Sequence, residues 1–296
     1  MTGKTELPRF SVVMPSFNTA EYLRETIDSI LSQDYPDFEY IITDGGSTDG
    51  TLDILKSYAH DQRLKWISEP DNGQCDAINK GFRMATGELH YWANADDPLE
   101  PGALRHIASL FTDFETPQWA VGAAMLIAGN GKEYWPRVVE EVDDSTFLLW
   151  ALKWIPTQSV FWNRKMWEAA GPFDEHLHFV MDLGLWQRMH KAAPCIITKE
   201  VVARYRLHAD SKSLSGIPKS EAERKKHLTT LILEAIGEAQ AEGPQALENL
   251  ASSYAHYFDE LTKQAVLNQR LENNRLTGPV LRLYRKRSAY YPDLDI

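Results

Sequence analysis

The sequence predicts an α/β fold in which a mainly parallel sheet is flanked by helices. Short apolar runs rich in β-branched residues alternate with stretches of helical periodicity through roughly the first 110 residues. The connections between these segments are short, as they are in βαβ units with right-handed crossovers. From about residue 219 the pattern changes to long helical stripes without strands, which predicts a C-terminal helical extension.

Four strands and four helices are predicted in this first part of the chain. The strands are the apolar runs 10–14, 38–43 and 64–68 and the run that begins at Tyr91. Continuous apolar runs of this length are typical of strands buried on both faces of a sheet. Apolar residues at intervals of three or four indicate the helices. These are Leu23, Ile27, Ile30 and Leu31; Leu52, Leu55 and Tyr58; Ala77, Ile78, Phe82 and Ala85; and Leu104, Ile107, Ala108 and Phe111.

The rest of the chain is less regular. Its predicted elements are strands at 119–127, 158–162, 195–198 and 201–207, a short helix at 165–170, and a longer helix from about Val180. Near the end, Gly243-Pro244 separates two helical stripes and predicts a helical hairpin. This hairpin would pack on the core domain or on a second subunit, giving a homo-oligomer. We therefore divide the chain into a domain of residues 1–215 and an extension of residues 216–296.

Composition excludes several classes of protein. The net charge of −11 argues against nucleic acid as an electrostatic partner. The two cysteines, Cys75 and Cys195, are far apart and match no zinc-ligand spacing. The sequence shows no secretory signal pattern and no apolar run of membrane-spanning length, so we expect a cytoplasmic location and only peripheral contact with a membrane.

Two adjacent carboxylates follow the run Tyr91-Trp92-Ala93-Asn94-Ala95. Asp96 and Asp97 would place negative charge at the edge of the sheet, where ligands bind in open α/β folds. That charge is unfavourable unless a cation, a donor group or water compensates it. The pair therefore indicates a divalent-metal site for a phosphorylated ligand. The alternative is a turn that starts the next helix, which the Asp-Asp-Pro sequence taken alone favours.

A glycine-rich loop, residues 44–51, follows the second predicted strand. Its glycines allow a ligand to approach the backbone, and its Asp and Ser residues supply acceptors and donors. The loop lacks the G-x-G-x-x-G spacing of a dinucleotide fold, which argues against a nicotinamide dehydrogenase. The alternative is a glycine turn in which Ser47 or Thr48 caps the next helix.

Four motifs now occur in a recognisable order: Val12-Val13-Met14-Pro15-Ser16-Phe17-Asn18, the loop 44–51, Asp76-Ala77-Ile78-Asn79-Lys80-Gly81, and Asn94-Ala95-Asp96-Asp97. Over roughly the first two hundred residues the chain resembles family-2 glycosyltransferases of the Rossmann-like GT-A fold, above all those that build bacterial O-antigen and capsule polysaccharides. The resemblance implies inverting, metal-dependent transfer of a sugar from a nucleotide-sugar donor, expected to carry UDP. The acceptor would be a hydroxyl of a glycan or a lipid-linked saccharide.

The resemblance also implies roles for individual residues. The donor nucleotide would contact Pro15, Ser16, Asn18, Asp44, Gly45, Asp76, Lys80, Asn94 and Asp96. Mn²⁺ or Mg²⁺ would be bound by Asp96 and Asp97, with Asp97 as the expected direct ligand and His208 as a third. Many relatives have Asp where this chain has Asn94, so the metal affinity is in question. Asp76 has the alternative role of a helix N-cap, and His208 that of an ordinary surface or core residue.

The acceptor hydroxyl needs a base, and by the same resemblance Asp182 is that residue. A positioned carboxylate can take the proton as the hydroxyl attacks. Asp182 lies near a predicted helix start, where a carboxylate is also favoured simply by the helix dipole. Asp174 and Glu175 are the rival candidates.

Further hypotheses concern surfaces. Trp135, Trp150, Trp154 and Trp162 are considered as sugar-stacking faces, with core packing as the favoured alternative. Arg204, Arg206 and Lys212 would contact phosphate or form a solvated strand face. The basic tail would rest on anionic lipid, or simply be a solvated helix end. Its residues are Arg270, Arg275, Arg282, Arg285, Lys286 and Arg287. Two other functions compete: a catalytically silent nucleotide-sugar binding protein, and a sugar nucleotidyltransferase, whose Arg-containing loop after the first strand is missing here.

Overall fold

The structure, a computed structural model, describes residues 7–148, 153–208, 210–212, 223–224, 226–227 and 241–245. The chain divides into two compact units. The first contains residues 1–143 and 155–206, and the second contains residues 144–154 and 207–296. Most of the predicted C-terminal hairpin and all of the basic tail lie outside the described residues, so the division at residue 215 stays a prediction.

The first half of the first unit is a parallel α/β arrangement. Its strands are β1 (Phe10–Ser16), β2 (Phe38–Asp44), β3 (Leu64–Ser68) and β4 (Leu89–Trp92), and its helices are α1 (Ala20–Leu31), α2 (Thr51–Ser57), α3 (Gln74–Met84) and α4 (Ala103–Ala108). The strands lie in the order β3-β2-β1-β4, and all three pairings are parallel. The carboxyl ends of β1, β2 and β4 therefore meet at one edge of the sheet.

The apolar pattern explains this packing. Every residue of β1 and β2 is buried, as expected for strands covered on both faces. In α1 the buried residues Leu23, Ile27 and Ile30 recur on one face, as the sequence predicts. In α3 a side chain at Gly81 would collide with Val13 of β1, so the glycine allows the helix to lie close to the sheet.

The second half of the sheet is joined mainly by antiparallel pairings. Its elements are β5 (Trp119–Ala128), β6 (Glu133–Arg137), β7 (Val160–Asn163), α6 (Arg164–Ala170), α7 (Met181–Ala192) and β8 (Ile196–Leu207). The order continues β4-β7-β5-β6, with β8 also paired to β5. The α/β prediction is confirmed, and its parallel pairing holds for β1 to β4. β6 was not predicted, and β8 is one strand where two extended segments were expected.

One local difference matters for the site. The sequence predicts a strand over 158–162, but residues Thr157–Ser159 form a 3₁₀ turn before β7 begins. The main-chain amide of Ser159 donates to the carbonyl of Pro156 at 3.0 Å, which closes the turn. Pro156 has no main-chain N–H to donate to a strand ladder, which disfavours an extended start to this segment.

The tryptophans considered as sugar-stacking faces differ in their burial. Trp162 on β7 is fully buried, and its ring packs 5.6 Å from that of Trp186, so it is a core residue. Trp135 on β6 is 54 % exposed and keeps its status as a predicted sugar-stacking face. Trp150 lies outside the described residues.

The second unit is described in short stretches. It contains α5 (Asp144–Leu148), where Thr146 and Phe147 are buried, and the residues after β8. There the amide of Ser211 donates to the carbonyl of His208 at 3.1 Å. Within the described part of the chain, none of the helices combines the length and the apolar character needed to cross a membrane.

Candidate functional site

Two loops meet where β1 and β2 end. The main-chain amide of Gly45 donates to the carbonyl of Ser16 at 2.8 Å. The amide of Asn18 donates to Ser47 Oγ at 2.7 Å, and its side-chain oxygen accepts from the amide of Thr48 at 2.9 Å. Asn18 adopts φ of 53°, a left-handed conformation that asparagine tolerates better than most residues. The two loops are thus tied into one surface.

Asp44 is buried at the centre of this surface. Its Oδ1 accepts from Ser47 Oγ at 2.5 Å. Its Oδ2 accepts from the amides of Gly46 and Ser47 at 3.0 and 2.9 Å and from Ser68 Oγ at 2.7 Å. A carboxylate offers about four lone-pair sites, so protein donors already occupy Asp44. Asp44 therefore shapes the loop, and its predicted contact with a base or ribose stays a prediction.

An exposed aromatic ring lies beside Gly45. Pro15 and Ser16 are buried in β1, but the next residue, Phe17, is 61 % exposed. A Cβ atom at Gly45 would lie 3.3 Å from Phe17 Cδ2 and 2.5 Å from Asp71 Oδ2. A side chain at position 45 would therefore require the Asp71 carboxylate to move. Phe17, which the sequence analysis did not single out, therefore forms an apolar platform at the sheet edge.

Asp76 and Lys80 stabilise the segment that precedes α3. Asp76 Oδ2 accepts from the amide of Asn72 at 3.0 Å and forms an ion pair with Lys80 Nζ at 3.4 Å. Lys80 also pairs with Glu69 at 3.1 Å. The Asn72 amide, opposed by burial and supported by the charge of Lys80, lowers the pKa of Asp76. Asp76 is not the N-cap, because α3 begins after Gly73 and lacks a side-chain cap.

Asp97, beyond the end of β4, is 2 % exposed. Its Oδ1 accepts from the main-chain amide of Arg206 at 2.7 Å. Its Oδ2 accepts from Asn94 Nδ2 at 2.9 Å and from Gln158 Nε2 at 2.7 Å. Burial, followed by the charge of Asp96, raises the pKa of Asp97 well above its usual range, against the effect of these hydrogen bonds. Asn94 donates to this carboxylate, which an ionised Asp at position 94 could not do.

Arg206 holds the same loop from the other side. Its Nε donates to the carbonyl of Asp96 at 2.9 Å, and its Nη2 pairs with Glu25 at 2.7 Å. The guanidinium also lies 4.7 Å from the centre of the Tyr22 ring. The side chain is buried, so the solvated face proposed for Arg206 is wrong, whereas its contact with phosphate stays a prediction. Its buried charge is compensated by groups of the protein itself.

The acids at this edge suit a metal site that is completed by the phosphates of a bound ligand. Asp96 is half-buried, whereas both oxygens of Asp97 already accept hydrogen bonds. Across the described ranges, no three His, Cys, Asp or Glu side chains form a group able to hold a metal by themselves. Mg²⁺ is usually bound by one or two carboxylates together with substrate phosphates. The carboxylates of Asp96 and Asp97 therefore fit Mg²⁺ or Mn²⁺ bound together with a diphosphate. The metal role of His208, which belongs to the second unit, stays a prediction.

Asp182 is the second residue of α7 and is half-buried. Its Oδ2 accepts from Thr157 Oγ1 at 3.0 Å, and its Oδ1 accepts from the amide of Leu183 at 2.8 Å. Of the rivals, Asp174 Oδ1 accepts from the amide of His176 within its own turn, and Glu175 accepts from Asn79 at 3.2 Å. All three acids accept hydrogen bonds from the protein, so the assignment of Asp182 as the base stays a prediction.

Sequence reasoning missed Thr157 and Gln158. These adjacent residues contact Asp182 and Asp97, respectively. Neither stands at a recognisable motif spacing, and Gln158 was expected to begin a strand. The one signal available was Pro156, which precedes them and disfavours an extended strand.

Comparison with known proteins agrees with this geometry. The family model described as glycosyl transferase family 2 matches residues 11–173. A relative named PGL/p-HBAD biosynthesis glycosyltransferase, from Mycobacterium bovis, is 31 % identical over 204 residues, which cover 67 % of this chain and 77 % of the relative.

Two solved structures share the fold. Staphylococcus aureus TarS 1–349 in complex with UDP matches with a TM-score of 0.55 and 20 % identity over 68 % of this chain and 61 % of that one. Mannosyltransferase PcManGT from Pyrobaculum calidifontis, in complex with GDP-Man and Mn²⁺, matches with a TM-score of 0.58 and 20 % identity over 86 % of this chain and 70 % of that one. The chain thus spans about 61 % of the length of the TarS structure.

The strand-end loops and the acids beyond β4 all lie within residues 11–173, which the family model matches. The chain belongs to glycosyl transferase family 2 and is a glycosyltransferase.

Proposed function

We propose that the chain transfers a sugar, with inversion, from a nucleoside-diphosphate sugar to a hydroxyl of a glycan or lipid-linked saccharide in bacterial surface-glycan synthesis. The observation that carries the proposal is the loop Asn94–Asp97, which follows β4 at the edge where the loops after β1 and β2 also meet. Ligands of open α/β sheets bind at this edge.

The donor nucleotide would lie over the joined loops. Phe17 offers a face for the base, because stacking on an exposed ring is favourable for any nucleobase. Asn18, Asp44 and Gly45 shape the surface below it. UDP is the expected nucleotide; TarS has been solved with UDP and PcManGT with GDP-Man.

The diphosphate would be bound near Asp96. We assign Asp96 rather than Asp97 as the direct metal ligand, because both oxygens of Asp97 already accept hydrogen bonds from the protein. Asp97 then fixes the loop that presents Asp96. A bound Mg²⁺ or Mn²⁺ supplies positive charge that stabilises the leaving diphosphate.

Asp182 would accept the proton of the attacking hydroxyl. General-base catalysis by a positioned carboxylate contributes about 10²- to 10⁴-fold in rate. The donor and the acceptor would meet between Asp96 and Asp182. The acceptor class, the cytoplasmic location, the membrane contact of the basic tail and a homo-oligomer built on the C-terminal helices stay predictions.

The proposal is tested by incubating the full chain with UDP-, GDP- and dTDP-sugars in the presence and absence of Mn²⁺ or Mg²⁺. We expect metal-dependent release of nucleoside diphosphate from one donor class, faster when an acceptor glycan is added. In a parallel incubation with a nucleoside triphosphate and a sugar 1-phosphate, formation of the nucleotide sugar with release of pyrophosphate would favour a nucleotidyltransferase instead. Metal-dependent nucleotide binding without any turnover would favour a silent binding protein.

A further inference from the structure

The turn Thr157–Ser159 contacts two carboxylates: Asp97, which the proposed function places in the donor-side loop, and Asp182, its proposed base. Thr157 Oγ1 donates to Asp182 Oδ2 at 3.0 Å, and Gln158 Nε2 donates to Asp97 Oδ2 at 2.7 Å. Asp97 follows β4 and Asp182 lies in the first turn of α7, and the two acids are 85 residues apart in sequence. Adjacent residues of one turn hold them both.

The turn is itself fixed by the sheet. Ser159 donates twice to the carbonyl of Pro156, through its amide and its hydroxyl, each at 3.0 Å. The hydroxyl of Tyr91 on β4 donates to the carbonyl of Gln158 at 3.0 Å. The turn then continues into β7, which pairs with β4. Gln158 and Ser159 are buried, so the turn cannot shift without disturbing this core.

We propose that Thr157 and Gln158 are positioning residues that fix the acceptor-side carboxylate Asp182 relative to the donor-side loop Asn94–Asp97. The inference rests on the proposed function of these two sites. Reaction between two bound substrates depends on geometry held to within a fraction of an ångström. A buried turn with one contact to each site provides such a constraint.

The two contacts predict separable defects. Thr157→Val keeps the shape and removes the hydroxyl, so it should lower kcat about 10- to 100-fold and leave nucleotide affinity unchanged. Gln158→Leu should weaken nucleoside-diphosphate affinity about 10-fold, because Asp97 loses one of its three donors. Thr157→Ser keeps the hydroxyl and should restore most of the lost kcat.

The deciding experiment is a double-mutant cycle between Thr157 and Asp182 on the full chain, with kcat from donor consumption and with UDP and GDP affinities from calorimetry. If Thr157 acts through Asp182, Thr157→Val should cost less than about 3-fold in an Asp182→Asn background, against about 10- to 100-fold in the wild type. Thr157→Ala serves as a second variant if Thr157→Val does not fold.

Equal losses of kcat in both backgrounds would overturn the inference, since a purely structural residue acts independently of Asp182. Equal losses of nucleotide affinity in Thr157→Val and Gln158→Leu would overturn it as well. A wild-type chain that binds neither UDP nor GDP would instead refute the proposed function, and with it the sites that the inference connects.

Discussion

Two buried acids lie at opposite ends of the parallel strands. Glu39 stands near the amino end of β2 and is 1 % exposed, and Asp97 stands beyond the carboxyl end of β4 and is 2 % exposed. Burial acts to raise both pKa values. Hydrogen bonds from Thr86, Ser11 and Lys65 nevertheless lower the pKa of Glu39 to about 2, whereas the pKa of Asp97 is raised.

The charge of the neighbouring groups explains the difference. Glu39 lies 3.2 Å from Lys65 Nζ and 3.8 Å from Arg9 Nη2. The donors to Asp97 are one main-chain amide and two side-chain amides, all neutral, and its charged neighbour is the acid Asp96. Glu39, near the amino end of β2, thus has cationic side chains as partners, whereas the hydrogen-bond donors of Asp97 are all neutral. This contrast concerns the two carboxylates themselves, because the guanidinium of Arg206 donates to the carbonyl of Asp96 in the same loop.

The largest expected effect is a loss of kcat in the candidate active site. Asp182→Asn removes the proposed base and should lower kcat about 10³-fold. Affinity for the nucleoside diphosphate should stay within about 2-fold, because the donor side is unchanged. Steady-state transfer assays together with calorimetric titration check both values. Asp174→Asn is the matched control, and an equal loss of kcat in that variant would contradict the assignment of Asp182.

Glu39→Gln tests the buried acid near the amino end of β2. The variant keeps the shape of the side chain, removes its charge, and should lower the free energy of unfolding at pH 7 by about 2 kcal/mol. Because the folded-state pKa is lowered, the stabilisation is present above pH 4.5 and is lost as the pH falls toward about 2. Denaturant unfolding at several pH values measures this dependence, which should be weaker in the variant. Identical pH profiles would contradict the account.

Phe17→Leu tests the aromatic platform. Loss of the ring should weaken binding of a nucleoside diphosphate about 10-fold, since base stacking contributes about 1–3 kcal/mol. Trp135→Leu removes another exposed aromatic residue, on β6, and should leave nucleotide affinity unchanged. Calorimetric titration of both variants compares the two positions. Equal affinities for Phe17→Leu and the wild type would remove Phe17 from the donor site.

The smallest effect is expected for the stability of Asp97→Asn without ligands. This carboxyl has a raised pKa, so its charge opposes folding at neutral pH and removing that charge offsets part of the lost hydrogen bonding. The free energy of unfolding should change by less than about 1 kcal/mol, against about 2 kcal/mol for Glu39→Gln. Parallel urea titrations compare the two. A larger loss for Asp97→Asn would reverse the contrast between the edges.

The sequence predicted the parallel half of the fold better than the antiparallel half. The continuous apolar runs of β1 to β3 and the stripe of α1 specify their own structure locally. β6 was missed because only its contacts with β5 favour the extended state, and three of its five residues are exposed.

The same difference separates the predicted site residues from those that were missed. Asp96, Asp97 and Asp182 occur in recognisable motifs, and the structure places the first two beyond the end of β4 as expected. Thr157, Gln158 and the buried Arg206 gain their roles only from tertiary contacts. No spacing along the chain encodes such contacts.

The most direct test of the central claim is Mn²⁺ binding measured by electron paramagnetic resonance in the presence of UDP or GDP. The wild-type chain should bind one Mn²⁺ in a nucleotide-dependent way. Asp96→Asn should weaken that binding at least about 10-fold, while Glu39→Gln leaves it unchanged. Nucleotide-dependent Mn²⁺ binding that is equally strong in Asp96→Asn, or absent from the wild type with both nucleotides, would contradict the account.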